Sequence, residues 1–112
     1  SNKSTDLSPC LQKRDFIHVD DLMEGFSLLV KDLNRDLNFD IFNICSGQAL
    51  KLRDFLDLFV SALNKDKSLL NYGAIPMREG EPMISYGNSS KSSTCLGFNS
   101  SNLNKKTHEF LN

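Results

Sequence analysis

The sequence lacks the features that mark several classes of protein. Its 112 residues include no tryptophan and only 3 cysteines, and no apolar run approaches the roughly 18 residues of a membrane-spanning helix. The start shows no charged-then-apolar signal peptide. The cysteines (Cys10, Cys45 and Cys95) form no Cys-x-x-Cys pair, so neither a zinc ribbon nor a disulfide framework is indicated. We therefore expect a reduced, cytoplasmic protein with no membrane association and no metal.

The chain also has no marked excess of positive or of negative charge. The chain carries 13 Lys and Arg against 14 Asp and Glu, interspersed along its length, for a net charge of −1. A nucleic-acid-binding surface needs clustered basic residues, so we expect no nucleic-acid partner. The length and the 39% hydrophobic content fit one globular domain, residues 1–112, with a modest core. The polar residues 1–8 are expected to be disordered or introduced by cloning.

Two amphipathic helices are the clearest predicted elements. Asp20 and Asp21 indicate the start of the first, because carboxylates accept hydrogen bonds from the free backbone N–H groups of a helix N-terminus. Apolar residues then recur at helical spacing to about Leu33. The second helix covers 52–63 by the same pattern. Lys51 stands where a capping Ser or Thr is usual, which weakens the start of this helix.

Short apolar runs predict strands between and around these helices. The run over 39–45 is apolar on both faces, which is typical of a strand inside an α/β sheet. Strands are also predicted over 12–19 and 69–75, a polar turn over 34–38, a loop over 77–88, and short helices over 90–96 and 101–111. The order strand, helix, strand, helix indicates a mixed α/β fold with an incomplete sheet.

Four segments carry a more specific signal. They read Arg-Asp-Phe-Ile-His-Val-Asp-Asp (14–21), Phe-Asn-Ile-Cys-Ser-Gly (42–47), Arg-Glu-Gly-Glu (78–81) and Leu-Gly-Phe (96–98). In this order they closely resemble the extended short-chain dehydrogenase/reductase family of NAD(P)-dependent nucleotide-sugar epimerases and dehydratases. The first segment is the most specific, and in that family it lies in the C-terminal third. The resemblance implies the C-terminal substrate-binding part of a Rossmann-type enzyme.

The resemblance also implies roles for three residues. Arg14 and Arg78 would contact the diphosphate of a nucleotide sugar, and Glu81 would accept hydroxyls of the nucleotide ribose. The chemistry agrees, because a guanidinium presents a planar fork of donors and a carboxylate can accept two bonds from a vicinal diol. The pattern departs from the family at Glu79, where proline is usual, and at Glu81, where aspartate is commoner. The ribose contact is therefore less secure than the phosphate contacts.

The same family needs a glycine cluster for its cofactor and a catalytic Tyr-x-x-x-Lys. The 6 glycines here are scattered singly, Tyr72 is followed four residues on by Pro76, and Tyr86 by Ser90. We thus expect no catalytic and no cofactor-binding residue, NAD or NADP held by a missing N-terminal Rossmann part, and no activity of this chain alone. The alternative is a stand-alone, non-catalytic α/β module that binds a nucleotide or a protein.

Simpler interpretations of individual residues remain open. Arg14 could pair with Asp15 or with another acid at the surface, and Arg78 could be a solvated loop charge. His18 is expected to be a packed or capping histidine rather than a catalytic one. Met23 and Phe26 are core positions by default. In a fragment some of these residues would have packed against the missing N-terminal sheet, so we expect the isolated chain to be either marginally stable or self-associated.

Overall fold

The structure is a computed structural model that describes residues 3–32 and 40–100. The predicted turn over 34–38 and the predicted helix over 101–111 lie outside them. In chain order the described elements are β1 (Thr5–Leu7), β2 (Lys13–Arg14), α1 (Val19–Lys31), β3 (Leu50–Lys51), α2 (Leu52–Ala62), a 3-10 turn (Lys67–Leu69), β4 (Leu70–Tyr72) and α3 (Ser90–Leu96). No helix among them is long and apolar enough to cross a membrane.

The strands form two small sheets. β1 pairs with β4 in parallel, and β2 pairs with β3 in antiparallel register, with Lys13 opposite Lys51. Lys13 also forms a parallel bridge with Ile84. Its N–H donates to the Met83 carbonyl at 2.7 Å, and its carbonyl accepts from the Ser85 N–H at 3.0 Å. These bonds bring the loop after β4 alongside β2.

Helix α1 begins at a histidine cap. The Nδ1 atom of His18 accepts a hydrogen bond from the Asp20 N–H at 3.0 Å, and Asp20 and Asp21 lie in the first turn. The prediction of a capping histidine is therefore confirmed. Further along, a Cβ on Gly25 would lie only 2.6 Å from Cγ2 of Ile44. Glycine thus allows α1 to approach the segment before β3 closely.

Helix α2 packs through an aromatic pair and a tyrosine. The rings of Phe16 and Phe55 stack with centroids 3.9 Å apart, which connects the segment before α1 to α2. The Tyr72 hydroxyl donates to Oδ1 of Asp57 at 2.8 Å and so attaches β4 to the same helix. Lys51 at the N-cap forms no side-chain capping bond, as predicted for a lysine in place of the usual Ser or Thr.

Helix α3 coincides with its predicted bounds and ends in the Leu-Gly-Phe segment. Gly97 has a φ of 70°, in the left-handed region that glycine adopts without a Cβ clash. The chain can therefore turn back, and Phe98 becomes only 1% exposed. The buried Ser92 donates from Oγ to the Asn43 carbonyl at 2.5 Å, which anchors α3 to the segment over 40–47.

Three secondary-structure predictions are wrong. Of 12–19 only Lys13–Arg14 is a strand, because the chain turns directly into α1. The described residues 40–45 contain no strand. They are held instead by side chains of α3, such as Lys91, which donates to the Ile41 carbonyl at 2.8 Å. Residues 5–7, part of the segment expected to be disordered or introduced by cloning, form β1, because their backbone pairs with a strand 65 positions away.

Candidate functional site

The three residues predicted for the site meet at one carboxylate. Nη2 of Arg14 lies 2.6 Å from Oε1 of Glu81, and Nη2 of Arg78 lies 2.8 Å from Oε2 of the same side chain. Arg14 and Glu81 are 67 residues apart in the sequence. We name these three residues the arginine–glutamate cluster. Two of the four family-like segments, 14–21 and 78–81, are thereby brought to one place.

Local structure explains how the cluster forms. Arg14 lies in β2, and its Nη1 donates to the Lys13 carbonyl at 2.8 Å, which orients the guanidinium. On the other side, the Glu81 N–H donates to the Arg78 carbonyl at 3.2 Å, closing a turn in which Gly80 has a φ of 75°. The turn folds Glu81 back toward the strand, while Arg78 stays at the rim.

The three side chains of the cluster differ in their exposure to solvent. The side chain of Glu81 is 16% exposed, that of Arg14 28% and that of Arg78 78%. The Arg78 pair is therefore well solvated and contributes at most about 0.2–1 kcal/mol to stability. Two guanidiniums against one carboxylate leave one positive charge. Such a rim attracts an anion that presents oxygens to both forks.

Two of the simpler interpretations can be compared with this geometry. Arg14 does pair with an acid, but the acid is Glu81, from a distant loop, and not the neighbouring Asp15. Arg78 is exposed, as a loop charge would be, and yet it shares its carboxylate partner with Arg14. Pairing within the protein and binding of an external anion thus use the same side chains.

A second carboxylate, Asp15, follows Arg14 in the sequence and was not predicted to have a role. It accepts four hydrogen bonds: from the Ser46 hydroxyl at 2.6 Å, and from the N–H groups of Ser46, Gly47 and Gly87 at 2.9, 3.0 and 3.2 Å. A Cβ on Gly87 would lie 2.6 Å from Sγ of Cys45. Asp15 is therefore the point at which the segments before α1, before β3 and before α3 are fixed together.

The ionisation of Asp15 follows from these bonds. Burial opposes its charge, but the hydrogen bonds from Ser46, Gly87 and Gly47 outweigh burial and hold the pKa of Asp15 below its usual value. The neighbouring thiol responds in the opposite direction. Burial, and then the negative charge of Asp15, raise the pKa of Cys45. Cys45 is therefore a protonated, packed thiol and not a nucleophile at neutral pH.

The depressed pKa of Asp15 predicts an acid-sensitive fold. A carboxyl group whose pKa is lower in the folded state stabilises that state above its unfolded pKa, near 3.8. This contribution is lost as the pH falls through the folded value. The melting temperatures of the wild type and of Asp15→Asn should therefore differ at pH 6, and the difference should shrink as the pH falls below 3.8. An unchanged difference across this range would contradict the assignment.

Two open clefts, of about 380 and 390 Å³, lie at the start of α3 and share Ser89 and Ser90. Their linings are mostly small hydroxyl and amide side chains without a charged group, so they offer no counter-charge to a phosphate. The arginine–glutamate cluster borders neither of them. Within residues 3–32 and 40–100, no group of three His, Cys, Asp or Glu side chains is placed to hold a metal ion.

Comparison with known proteins covers most of the chain. No family model matches it. CDP-abequose synthase of Salmonella muenchen is 29% identical over 90 residues, which are 80% of this chain and 30% of that protein. Among solved structures, RMD from Pseudomonas aeruginosa, complexed with NADPH, aligns with a TM-score of 0.77 at 19% identity, over 99% of this chain and 35% of that one.

A third similar protein is the dTDP-glucose 4,6-dehydratase DesIV from Streptomyces venezuelae, with NAD and TYD bound. It aligns with a TM-score of 0.77 at 19% identity, over 97% of this chain and 33% of that one. The chain therefore spans about a third of the length of each of these three proteins, and it has the fold of the corresponding portion of the two solved structures. The predicted resemblance and the predicted α/β fold class are confirmed.

Proposed function

We propose that this chain, which has the fold of one portion of the extended short-chain dehydrogenases/reductases, supplies the C-terminal substrate-binding part of a nucleotide-sugar epimerase, dehydratase or reductase. The observation that carries the proposal is the convergence of Arg14 and Arg78 on Glu81. Nothing in the local sequence around either arginine requires them to meet. A shared ligand with several anionic oxygens is a physical reason for this arrangement.

In the proposed complex the two arginines hold the diphosphate from two sides. Each guanidinium can donate a pair of parallel bonds to phosphate oxygens, and the two forks come from elements that β2 and the turn at Gly80 orient independently. Glu81 then accepts the ribose hydroxyls, since a carboxylate can take both bonds of a vicinal diol. These contacts bind and orient the substrate but transfer no hydride.

We expect the described residues not to bind NAD(P). A dinucleotide pyrophosphate needs clustered glycines whose open space the phosphates can enter. Here a Cβ on Gly47 would lie 2.6 Å from the Ser89 hydroxyl, and the corresponding positions at Gly25 and Gly87 are filled by Ile44 and Cys45. The space at Gly73, Gly80 and Gly97 is open, but these glycines lie singly along the chain and form no cluster. We therefore assign NAD or NADP to an N-terminal part of the parent protein and expect the present chain to be inactive alone.

Helix α1 presents an apolar stripe that supports such a missing part. Val19, Met23, Phe26 and Val30 follow one another at intervals of four, three and four residues and are each between 51% and 64% exposed. This spacing places them on one face of the helix. Exposed apolar stripes of this kind mark contact surfaces. We propose that the NAD(P)-binding part of the parent protein covers the α1 stripe.

Without that part, the α1 stripe should drive self-association. Sedimentation equilibrium of the chain should give a weight-average mass that rises above 12.6 kDa with concentration, and Met23→Glu with Phe26→Glu should restore the monomer. Ile75→Glu is the matched control, because Ile75 is also exposed but lies outside α1. A wild-type chain that stays monomeric throughout would contradict the role of the stripe.

The function itself is tested by calorimetric titration with CDP, UDP and dTDP and with the three corresponding monophosphates. One diphosphate should bind with a stoichiometry of one and at least about tenfold more tightly than its monophosphate, because the second phosphate reaches the second arginine. Equal affinities would argue against the two-arginine site. Absence of all binding would favour the alternative, a module that binds a protein.

A further inference from the structure

Glu81 uses its two carboxylate oxygens separately, one for each arginine. We propose that Glu81 is a built-in competitor for the diphosphate: it occupies both guanidiniums until an anionic ligand displaces it, and it is then free to accept hydroxyls. The inference rests on the proposed function and adds a regulatory step to the same site. It concerns what Glu81 does before a ligand arrives.

Competition follows from the atoms that are engaged. Glu81 contacts the Nη2 atom of each guanidinium, at 2.6 and 2.8 Å. A guanidinium gives its strongest interaction when two of its N–H groups face one anion. Nη1 of Arg14 already donates to the Lys13 carbonyl, so Nη2 is needed for any paired contact with a phosphate. A bound phosphate and Glu81 therefore compete for the same donors.

The turn that carries Glu81 is suited to such a displacement. Gly80 has a φ of 75°, and no other atom lies within 4 Å of the place where its Cβ would stand. The backbone of the turn can thus adjust at Gly80 without a steric clash there, which allows the Glu81 side chain, 16% exposed, to move away from the guanidiniums. By contrast, Arg14 is fixed in β2 by the bonds of Lys13 to Lys51, Met83 and Ser85. Movement is therefore expected on the carboxylate side of the cluster.

Two effects of Glu81 oppose each other. Its charge holds both guanidiniums near one another, which prepares the site, but the same charge must be displaced before phosphate binds. Displacement dominates, because both arginines remain partly exposed and Arg14 has a separate anchor. Loss of the charge should then tighten pyrophosphate binding by roughly 2- to 30-fold, the factor that corresponds to two partly exposed ion pairs.

A consequence for specificity separates this idea from simple electrostatics. Pyrophosphate should bind more tightly when the charge of Glu81 is removed, and it has no ribose hydroxyls whose bonds to Glu81 would be lost. A nucleoside diphosphate gains the same phosphate affinity but loses the carboxylate that accepts its ribose hydroxyls. The preference for a nucleoside diphosphate over pyrophosphate should therefore fall in Glu81→Gln, whereas a general change in charge would shift both ligands equally.

The test is calorimetric titration of the 112-residue chain with inorganic pyrophosphate and with CDP, UDP and dTDP. Glu81→Gln keeps the size of the side chain and removes its charge. The matched control is Glu79→Gln, since Glu79 is exposed two residues away and forms no ion pair with either arginine among the residues that the structure describes. The expected result is tighter pyrophosphate binding in Glu81→Gln only, with a smaller preference for the nucleoside diphosphate.

Equal or weaker pyrophosphate binding in Glu81→Gln, with nucleoside diphosphate binding intact in the wild type, would overturn the competitor role and leave the proposed function standing. An equal gain in Glu79→Gln would also overturn it, because the effect would then come from net charge. Failure of the wild type to bind any of these ligands would overturn both proposals.

Discussion

Replacing Arg14 with alanine should weaken nucleoside diphosphate binding by about 10- to 150-fold, which corresponds to a loss of about 1.5–3 kcal/mol in charge-assisted hydrogen bonds. Arg14 is the better anchored arginine, at 28% side-chain exposure against 78% for Arg78. Its contacts with a phosphate are therefore less screened by water. The variant also leaves Glu81 with one arginine partner. The negative charge of Glu81 is then less fully neutralised, and it repels the anionic ligand.

The control for this variant is Lys13→Ala, which removes an exposed positive charge from the same strand while the backbone bonds of Lys13 remain. Long-range attraction alone would make the two variants similar. The proposed site requires a large loss for Arg14→Ala and a change of less than about threefold for Lys13→Ala. If Arg14→Ala binds as tightly as the wild type, Arg14 is not part of the site.

Asp15→Asn should be the most destabilising of the conservative substitutions, with a decrease of about 3–5 kcal/mol in the free energy of unfolding. The carboxylate accepts four hydrogen bonds, three of them from backbone N–H groups. An amide of the same shape would turn one NH2 group toward those donors. A small domain has only about 5–15 kcal/mol of stability in total, so the variant should lose a large fraction of it.

Urea unfolding followed by circular dichroism measures this loss, with Asp54→Asn as the control. Asp54 is an exposed carboxylate in the first turn of α2, so its removal should cost no more than about 1 kcal/mol. Similar unfolding midpoints for Asp15→Asn and the wild type would mean that the four bonds contribute little. The conclusion that Asp15 fixes three segments of the fold together would then be wrong.

The helices could be predicted from the sequence because their causes are local. A cap at His18, two acids in the first turn and a three-and-four apolar repeat define α1 within a few residues, and the same repeat defines α2. The strands were predicted less well: β4 (Leu70–Tyr72) lies within the strand predicted over 69–75, but other strands were misplaced, because a strand exists only where a partner offers hydrogen bonds. Residues 40–45 have the apolar composition of a strand but pack through side chains, whereas polar Thr5–Leu7 finds β4.

The site divides in the same way. Arg14, Arg78 and Glu81 could be named from their segments, but their convergence depends on the pairing of Lys13 with Ile84 and on the turn at Gly80. The role of Asp15 could not be predicted, because its hydrogen-bond partners are mostly backbone N–H groups, which do not depend on residue type. The sequence indicated the role of Asp15 only through its position, between Arg14 and the apolar pair Phe16-Ile17.

The central claim is that a nucleoside diphosphate binds at the arginine–glutamate cluster. The most direct test is a titration of the 15N-labelled chain with CDP, UDP and dTDP, followed by amide and arginine side-chain chemical shifts. The account predicts saturable shifts centred on Arg14 and on the turn over 78–81, and their loss in Arg14→Ala. Shifts centred on the α1 stripe or on the clefts at Ser89, or no shifts at millimolar ligand, would contradict it.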